Sequence, residues 1–327
     1  MNYFLKLIRW QNLLIIILTQ VLVRYAVIRP LAGLTKVVLI STGESVPLSL
    51  QLPLFDFILL VIATVMLAAG GYVINDYFDI RTDRINRGDV IVGKNISRRR
   101  AILWHNLLNI AGVAAGFYIS YRVGYFWIGV IFMLASGLLY FYSATYKKQL
   151  LVGNLVVALL TAMVPFLVLA YELPAIWSHY IPDVKAMPSL RPLVWWVGGF
   201  SMFAFLTTLA LEIIKDIGDF EGDSAYGHNS LPVVAGVQAS RITVSILQAA
   251  TLLLIIAAWY LFLGDTYTLL YIIFAISLPM MLSAYYLNAG AALQNFRTSA
   301  FYMRAVMISG VLYTLVLWVI VERGLIG

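Results

Sequence analysis

Residues 53–83 read PLFDFILLVIATVMLAAGGYVINDYFDIRTD, an apolar run that ends in a cluster of polar and acidic side chains. About twenty apolar residues in a helix are long enough to cross the hydrocarbon core of a bilayer. Carboxylates are costly at that boundary and are usually kept there for function. The stretch therefore predicts a membrane helix that ends in a polar site, formed by Asn75, Asp76, Asp79 and Asp83.

The composition of the whole chain is that of a membrane protein. Of its 327 residues, 62% are hydrophobic and 11% are charged, whereas soluble domains carry about 25% charged residues. The mean hydropathy is +0.91. Because most of the surface can face lipid, we expect residues 1–327 to form one intramembrane domain. The absence of cysteine excludes disulfides and thiolate metal sites.

Nine apolar runs can be counted, which predicts an all-α, polytopic membrane protein built as a bundle of nine transmembrane helices, here called spans 1 to 9. The first run lacks a small-residue cleavage pattern and is expected to be a retained helix. The proline-rich segment 171–192 is expected to be an interfacial loop. The runs are 10–29, 53–74, 99–120, 124–143, 152–170, 193–213, 240–263, 266–287 and 301–321.

The distribution of basic residues predicts the orientation of the bundle. With the N-terminus inside, fifteen of the 22 lysine and arginine residues lie on the cytoplasmic side, as the positive-inside rule requires. We therefore expect a multi-pass protein of the cell inner membrane with its acidic site facing the cytoplasm. The net charge of +7 then matches anionic membrane lipid, and neither a nucleic acid nor an obligate protein partner is inferred.

A second acidic motif repeats the spacing of the first. Residues 212–223 read EIIKDIGDFEGD, in which Asp216, Asp219 and Asp223 follow the pattern D-x-x-D-x-x-x-D. Asp76, Asp79 and Asp83 follow the same pattern 140 residues earlier. On a continuous helix this spacing places three carboxylates on one face. Both motifs end an even-numbered span, so we expect them on the same side of the membrane.

Two carboxylate clusters on one side of a bundle favour bound cations. Oxygen ligands without cysteine or histidine suit Mg²⁺, which usually shares phosphate oxygens with a substrate. The sequence thus indicates a diphosphate held by Mg²⁺ between the motifs. The alternative is that these acids are solvated and paired with neighbouring basic residues. Those residues are Arg81, Arg84, Arg87 and Lys215.

These motifs resemble those of the UbiA superfamily of intramembrane prenyltransferases. NDYFDIRTD (75–83) fits the pattern N-D-x-x-D-x-x-x-D, and KDIGDFEGD (215–223) fits the second motif of that family. The resemblance implies an enzyme that binds a polyprenyl diphosphate through Mg²⁺. It implies catalytic roles for Asp76, Asp79, Asp83, Asp216, Asp219 and Asp223. It implies metal ligation by Asn75, Asp79, Asp83, Asp216, Asp219 and Asp223.

The resemblance also implies further contacts to substrate. In YFYSATYKKQLLVGN (140–154), the basic pair can meet a phosphate, although two lysines at a cytoplasmic helix end also satisfy the positive-inside rule. Gly153 and Asn154 suit close helix packing and an interhelical hydrogen bond. The three histidines match no metal spacing and are expected to be structural, with His228 set apart because it lies just beyond the second motif. The candidate substrate-binding residues are Asn75, Lys215, Lys147, Lys148, Tyr142, Ser143, Arg87 and Asn12.

The acceptor is less closely defined than the donor. Within the family the chain looks most like the branch that transfers a geranylgeranyl group to geranylgeranylglyceryl phosphate in ether-lipid synthesis. The alternative is an aromatic acceptor, a hydroxybenzoate or a naphthoate, as in quinone biosynthesis. A more distant alternative is a membrane transporter, for which inverted repeats would be expected. The two motifs instead indicate a parallel repeat of four spans.

Overall fold

The computed structural model describes residues 3–81, 90–290 and 292–324. In these segments nine helices are long and apolar enough to cross a membrane, which confirms the predicted all-α bundle. The spans, in order, are Trp10–Gly33, Leu54–Phe78, Arg98–Val123, Phe126–Ala144, Val152–Asp183, Arg191–Gly218, Val237–Phe262, Thr266–Asn288 and Leu293–Glu322.

Short elements connect or interrupt the spans. Within the described segments, three short helices lie outside the spans, at Tyr3–Leu7, Phe220–Ala225 and Leu231–Ala235. Spans 1 and 8 each contain a π-helical turn, at Val23–Ile28 and Ile272–Ser277. Turns of 3₁₀-helix lie at Phe126–Gly129, Tyr146–Lys148 and Ile181–Asp183. Because the spans alternate in direction, spans 2 and 6 end on the same side, here called the motif end.

The opposite side, here called the hairpin end, carries a feature that an all-helical prediction omits. Strand β1, Lys36–Val38, pairs antiparallel with strand β2, Ser45–Pro47. The turn between the strands is tied to the end of span 5, since Ser41 donates to Asp183 through its backbone N–H at 2.8 Å and its hydroxyl at 2.5 Å. The hairpin therefore covers this end of the bundle.

The predicted loop at 171–192 is wrong in its first half, because span 5 remains α-helical to Tyr180. Pro174 lies inside this helix, and proline is tolerated in membrane helices because neighbouring groups satisfy the freed carbonyls. The buried side chains of Tyr171 and Ile176 continue the packed face of the helix. Burial of this face outweighs the local effect of the proline.

A buried ion pair fastens the hairpin end. Arg24 Nε of span 1 lies 3.3 Å from Glu172 Oε2 of span 5, and both side chains are buried. Glu172 Oε1 also accepts the backbone N–H groups of Gln51 at 2.5 Å and Leu52 at 2.9 Å. Two spans and the segment before span 2 are thus held together by one carboxylate.

A polar network inside the membrane joins spans 2, 3 and 4. His105 Nδ1 lies 2.9 Å from the carbonyl oxygen of Gly70. Asn109 donates to the carbonyl of His105 at 2.8 Å and accepts the hydroxyl of Ser136 at 2.7 Å. His105 therefore has the structural role expected of it. The network holds span 2, which carries the first motif, in register with span 4.

Candidate active site

Both acidic motifs stop their helices at the same position. Span 2 ends at Phe78 and span 6 at Gly218, so the next residue of each motif, Asp79 or Asp219, occupies the C-cap. Each cap donates its backbone N–H four residues back, at 3.0 Å for Asp79 and 2.9 Å for Asp219. The equal spacing in sequence thus corresponds to equal local structure.

The prediction of one continuous acidic helical face is wrong for the second motif. Asp223 lies on the separate short helix Phe220–Ala225. The helix that carries Asp216 ends at Gly218, with Asp219 between the two helices. The backbone N–H of Asp223 still donates to the carbonyl of Asp219 at 3.0 Å, so the break is confined to that junction. Asp83 of the first motif lies outside the described residues.

The first motif is neutralised by cations from two other elements. Asn75 Nδ2 donates to Asp79 Oδ2 at 2.8 Å, and the buried Asp79 carboxylate is also ion-paired with Lys147. Asp76 Oδ1 accepts Arg9 Nη2 at 2.9 Å. Lys147 comes from the turn between spans 4 and 5, whereas Arg9 precedes span 1. The end of span 2 is therefore flanked by two basic side chains.

The second motif is held by span 5 and by its own loop. Asn154 Nδ2 donates to Asp216 Oδ2 at 2.7 Å, the interhelical hydrogen bond that was predicted. Lys215 Nζ lies 2.5 Å from Glu212 Oε1, one turn before it. His228 Nδ1 lies 3.1 Å from Asp223 Oδ1. His228 thus contacts a motif carboxylate, which its sequence spacing does not indicate.

The two motifs face one shared space. Lys147, which pairs with Asp79 of the first motif, also attracts Asp216 of the second. The hydroxyl of Tyr142 lies within electrostatic range of Asp79 and Asp216, and of Glu212 one turn before the second motif. Tyr142 at the end of span 4 and Lys147 in the turn after it are therefore within electrostatic range of acids from both spans 2 and 6.

A glycine permits the position of Lys147. A Cβ on Gly153 would lie 2.8 Å from the Cα of Lys147 and 3.0 Å from the carbonyl oxygen of Tyr146. Real Cβ atoms essentially never approach other heavy atoms this closely, so only glycine fits without a shift. Span 5 can thus begin directly against the turn that carries Lys147.

Some predicted substrate contacts are not brought to this space. The hydroxyl of Ser143 is buried and donates to the carbonyl of Leu139 in its own helix at 3.0 Å. Lys148 is exposed, and its backbone carbonyl accepts the N–H of Asn229 at 2.9 Å. Asn12 donates to the hydroxyl of Tyr72 at 3.2 Å. Arg87 lies outside the described residues.

Arg9 is the main residue of this site that the sequence did not single out. Its guanidinium pairs with Asp76 and lies 4.9 Å from the centre of the Tyr72 ring. Burial alone would lower the pKa of Arg9, but the attraction of Asp76 raises it above its ordinary value. Arg9 therefore stays charged. Its isolated position before an apolar run gave no signal beyond a positive-inside charge.

The donor chemistry around the first motif fits a hard cation. Asn75 Oδ1 is buried without a hydrogen-bond partner, and such a carbonyl oxygen is a suitable ligand for Mg²⁺. Among the residues that the structure describes, no three carboxylate or imidazole groups form a cluster that could hold a metal ion. Several motif acids are instead engaged by nitrogen donors, namely Arg9, Lys147, Asn154 and His228.

An apolar cavity lies deeper in the bundle, lined by spans 1, 5, 6 and 9. Thr207 is one of its wall residues and precedes Glu212 by five positions. At 1.5 Å per residue, the cavity starts about 7.5 Å along span 6 from the polar site. Other wall residues are Ile15, Thr19, Val164, Phe200, Phe203 and Met307.

Comparison with known sequences gives close agreement in one family. The model of the UbiA prenyltransferase family matches residues 34–305. Digeranylgeranylglyceryl phosphate synthase from Thermococcus sibiricus is 31% identical over 231 residues, which are 69% of this chain and 73% of that protein. The enzyme of the same name from Methanosphaera stadtmanae is 28% identical over 256 residues, 78% of this chain and 85% of that protein.

Solved structures share the fold. A digeranylgeranylglyceryl phosphate synthase superposes with a TM-score of 0.61 at 21% identity, over 96% of this chain and 98% of the other. A UbiA homologue from Archaeoglobus fulgidus bound to DMAPP and Mg²⁺ gives a TM-score of 0.51 at 18% identity, over 94% and 99% of the two chains. The protein is an integral, multi-pass membrane protein, and by sequence and fold it belongs to the UbiA prenyltransferase family.

Proposed function

We propose that this enzyme transfers a geranylgeranyl group from its diphosphate to the hydroxyl of geranylgeranylglyceryl phosphate, a step of ether-lipid synthesis. The observation that carries the proposal is the position of Lys147, which is paired with Asp79 and attracts Asp216. An anionic leaving group between the motifs would lie against this ammonium. The names of the relatives from Thermococcus and Methanosphaera support the choice of acceptor.

The reaction cleaves the allylic C–O bond, and its electron pair leaves with the diphosphate. The acceptor oxygen forms the new bond to the allylic carbon, and its proton passes to the released diphosphate. Positive groups stabilise the leaving diphosphate most where its charge develops. Lys147 is placed for this role, with Lys215 as a second cation beside Glu212. In this proposal the prenyl chain extends toward the cavity beyond Thr207, whose walls are almost entirely apolar.

We propose Mg²⁺ as the cofactor, held by Asn75, Asp79, Asp83, Asp216, Asp219 and Asp223. The buried, unpartnered oxygen of Asn75 supports this assignment, as does the Archaeoglobus fulgidus homologue described with Mg²⁺ and DMAPP. When bound, Mg²⁺ would screen the carboxylates and the diphosphate from each other. Asn154 fixes the Asp216 carboxylate from span 5, so that this ligand is oriented in advance.

We further propose that the motif end faces the cytoplasm of the cell inner membrane. Fifteen of the 22 basic residues lie on that side, which supports this orientation. Because the chain has no cysteine, single cysteines can report it. In intact cells, a maleimide that cannot cross the inner membrane should label Lys36→Cys at the hairpin end and should not label Arg99→Cys at the motif end. The opposite labelling pattern would reverse the orientation.

A panel of acceptors tests the proposed reaction. Purified enzyme receives radiolabelled geranylgeranyl diphosphate, Mg²⁺ and one acceptor at a time: geranylgeranylglyceryl phosphate, a hydroxybenzoate or a naphthoate. We expect label in the glyceryl phosphate lipid and little in the aromatic acids. Preferential labelling of an aromatic acid would replace the proposed acceptor with that compound and leave the prenyltransferase chemistry in place.

A further inference from the structure

The start of span 1 has an unusual backbone at a functional position. Arg9 adopts a left-handed conformation, with φ 50° and ψ 53°. For a residue with a Cβ this conformation costs about 1–2 kcal/mol, and such costs persist where surrounding contacts fix the residue. The turn separates helix Tyr3–Leu7 from span 1 and brings the Arg9 side chain beside the first motif.

The guanidinium of Arg9 is oriented from three sides. Its Nη2 donates to Asp76 Oδ1 at 2.9 Å, and its Cζ lies 4.9 Å from the centre of the Tyr72 ring. Tyr72 is in turn fixed by Asn12, which donates to its hydroxyl at 3.2 Å. Arg9 is also within electrostatic range of Tyr142 on span 4. The guanidinium therefore borders the same space as the two motifs.

Arg9 has hydrogen-bonding capacity that its known contacts do not use. Within the described part of the chain, its guanidinium makes one hydrogen bond, to Asp76, although a guanidinium carries five donors. The side chain remains 31% exposed. A planar guanidinium with a free edge can bind a phosphate through two parallel hydrogen bonds, which an ammonium cannot do.

The proposed reaction brings two anionic substrates to this site, and its other cations face the donor. Lys147 is paired with Asp79 of the first motif, and Lys215 with Glu212, one turn before the second motif. Arg9 approaches span 2 from the start of span 1, through Asp76 rather than Asp79. A second phosphate that enters beside span 1 would meet Arg9 first.

We propose that Arg9 binds the phosphate monoester of the acceptor lipid, exchanging part of its pairing with Asp76 for that phosphate. This inference rests on the proposed function, since an aromatic acceptor carries no phosphate. Under this proposal, the segment 8–12, which contains Arg9, recognises the head group of the acceptor. The strained turn at Arg9 and the Tyr72 ring hold the guanidinium in place before the lipid arrives.

Equilibrium binding in the absence of donor tests this assignment without requiring turnover. The full-length protein in detergent is given radiolabelled geranylgeranylglyceryl phosphate or the same lipid without its phosphate. We expect Arg9→Gln to weaken binding of the phosphate lipid about tenfold or more, as for loss of a charged hydrogen bond. Binding of the dephosphorylated lipid should be unchanged. The affinity of Arg9→Lys for the phosphate lipid should lie between those of the wild type and Arg9→Gln, because lysine keeps the charge but cannot form two parallel hydrogen bonds.

Two controls separate this role from simple neutralisation of Asp76. Arg297→Gln removes an exposed arginine of the last span and should bind both lipids as the wild type does. In the double variant Arg9→Gln with Asp76→Asn, the unbalanced carboxylate is also removed. The phosphate lipid should still bind weakly, and recovery to wild-type affinity would overturn the proposal. If thermal unfolding shows that Arg9→Gln does not fold, the affinity of Arg9→Lys for the phosphate lipid is the test, and wild-type affinity in that variant would overturn the proposal.

Binding of geranylgeranyl diphosphate with Mg²⁺ provides the third comparison. It should change by less than about threefold in Arg9→Gln, and an equal loss for donor and acceptor would assign Arg9 to the diphosphate instead. A wild-type protein that binds neither glyceryl lipid and prenylates an aromatic acid would refute the proposed function itself. A wild type that binds the phosphate lipid, with Arg9→Gln unaffected, would refute only the role of Arg9.

Discussion

Replacing Lys147 and Lys148 one at a time by methionine should show that the two adjacent lysines contribute differently to catalysis. Lys147 is ion-paired with Asp79 and attracts Asp216, whereas the side chain of Lys148 points to the exposed surface. Methionine keeps most of the aliphatic length and removes the charge. Lys148→Met makes the same chemical change one residue away, so it is a matched control.

The expected loss of activity depends on the position of the lysine charge that is removed. Removing one group that stabilises developing negative charge typically lowers kcat by about 10²–10³, or about 2.7–4 kcal/mol. Lys147→Met should lose activity by this factor, because its ammonium faces both motifs. Lys148→Met removes an exposed charge that solvent and salt screen, so kcat should fall about twofold at most.

Initial rates of prenyl transfer, measured with labelled donor at saturating Mg²⁺ and acceptor, provide the assay. Metal binding without substrate adds a second readout: because Lys147 competes with a cation for Asp79, its loss should tighten Mg²⁺ binding while turnover falls. Equal losses in the two lysine variants, or near wild-type kcat in Lys147→Met, would show that the position between the motifs is unimportant.

Four further substitutions and one control test other parts of the structure. Asp79→Asn and Asp219→Asn should each abolish Mg²⁺-dependent transfer in a protein that still folds, and full activity in both would remove the metal role. In Gly153→Ala the new Cβ would lie 2.8 Å from the Cα of Lys147, so the turn should be displaced and kcat should fall about tenfold. Gly137→Ala, whose new Cβ would meet open space, should leave kcat unchanged. Glu172→Gln leaves a buried arginine without its countercharge and should cost about 3 kcal/mol of unfolding free energy, seen as a lower unfolding temperature with an unchanged KM.

The sequence predicted the helices and the acidic motifs, but it predicted few of the contacts that their side chains make. The nine spans and the two matched motifs were predicted, as was the hydrogen-bonding role of Asn154. Both motifs prove to cap their helices, at Asp79 and Asp219, where a continuous acidic face was expected. The first motif has no glycine and its helix ends at the equivalent residue, so glycine alone does not account for these ends.

The sequence could not distinguish residues whose roles depend on distant partners. Lys147 and Lys148 are equivalent by composition, and only the packing of span 5 against their turn directs one of them to the motifs. Arg9 likewise resembles any basic residue before a membrane helix until its contact with Asp76, 67 positions away, is seen.

By itself, the sequence determined nine apolar runs and two acidic motifs, each at the end of an even-numbered run. An apolar run is sufficient to specify a span, and because successive spans alternate in direction, two even-numbered spans end on the same side. Only the tertiary structure decided which cations meet those acids. That choice depends on how separate spans pack, because a side chain selects its partner through distances between helices that no single stretch of sequence contains.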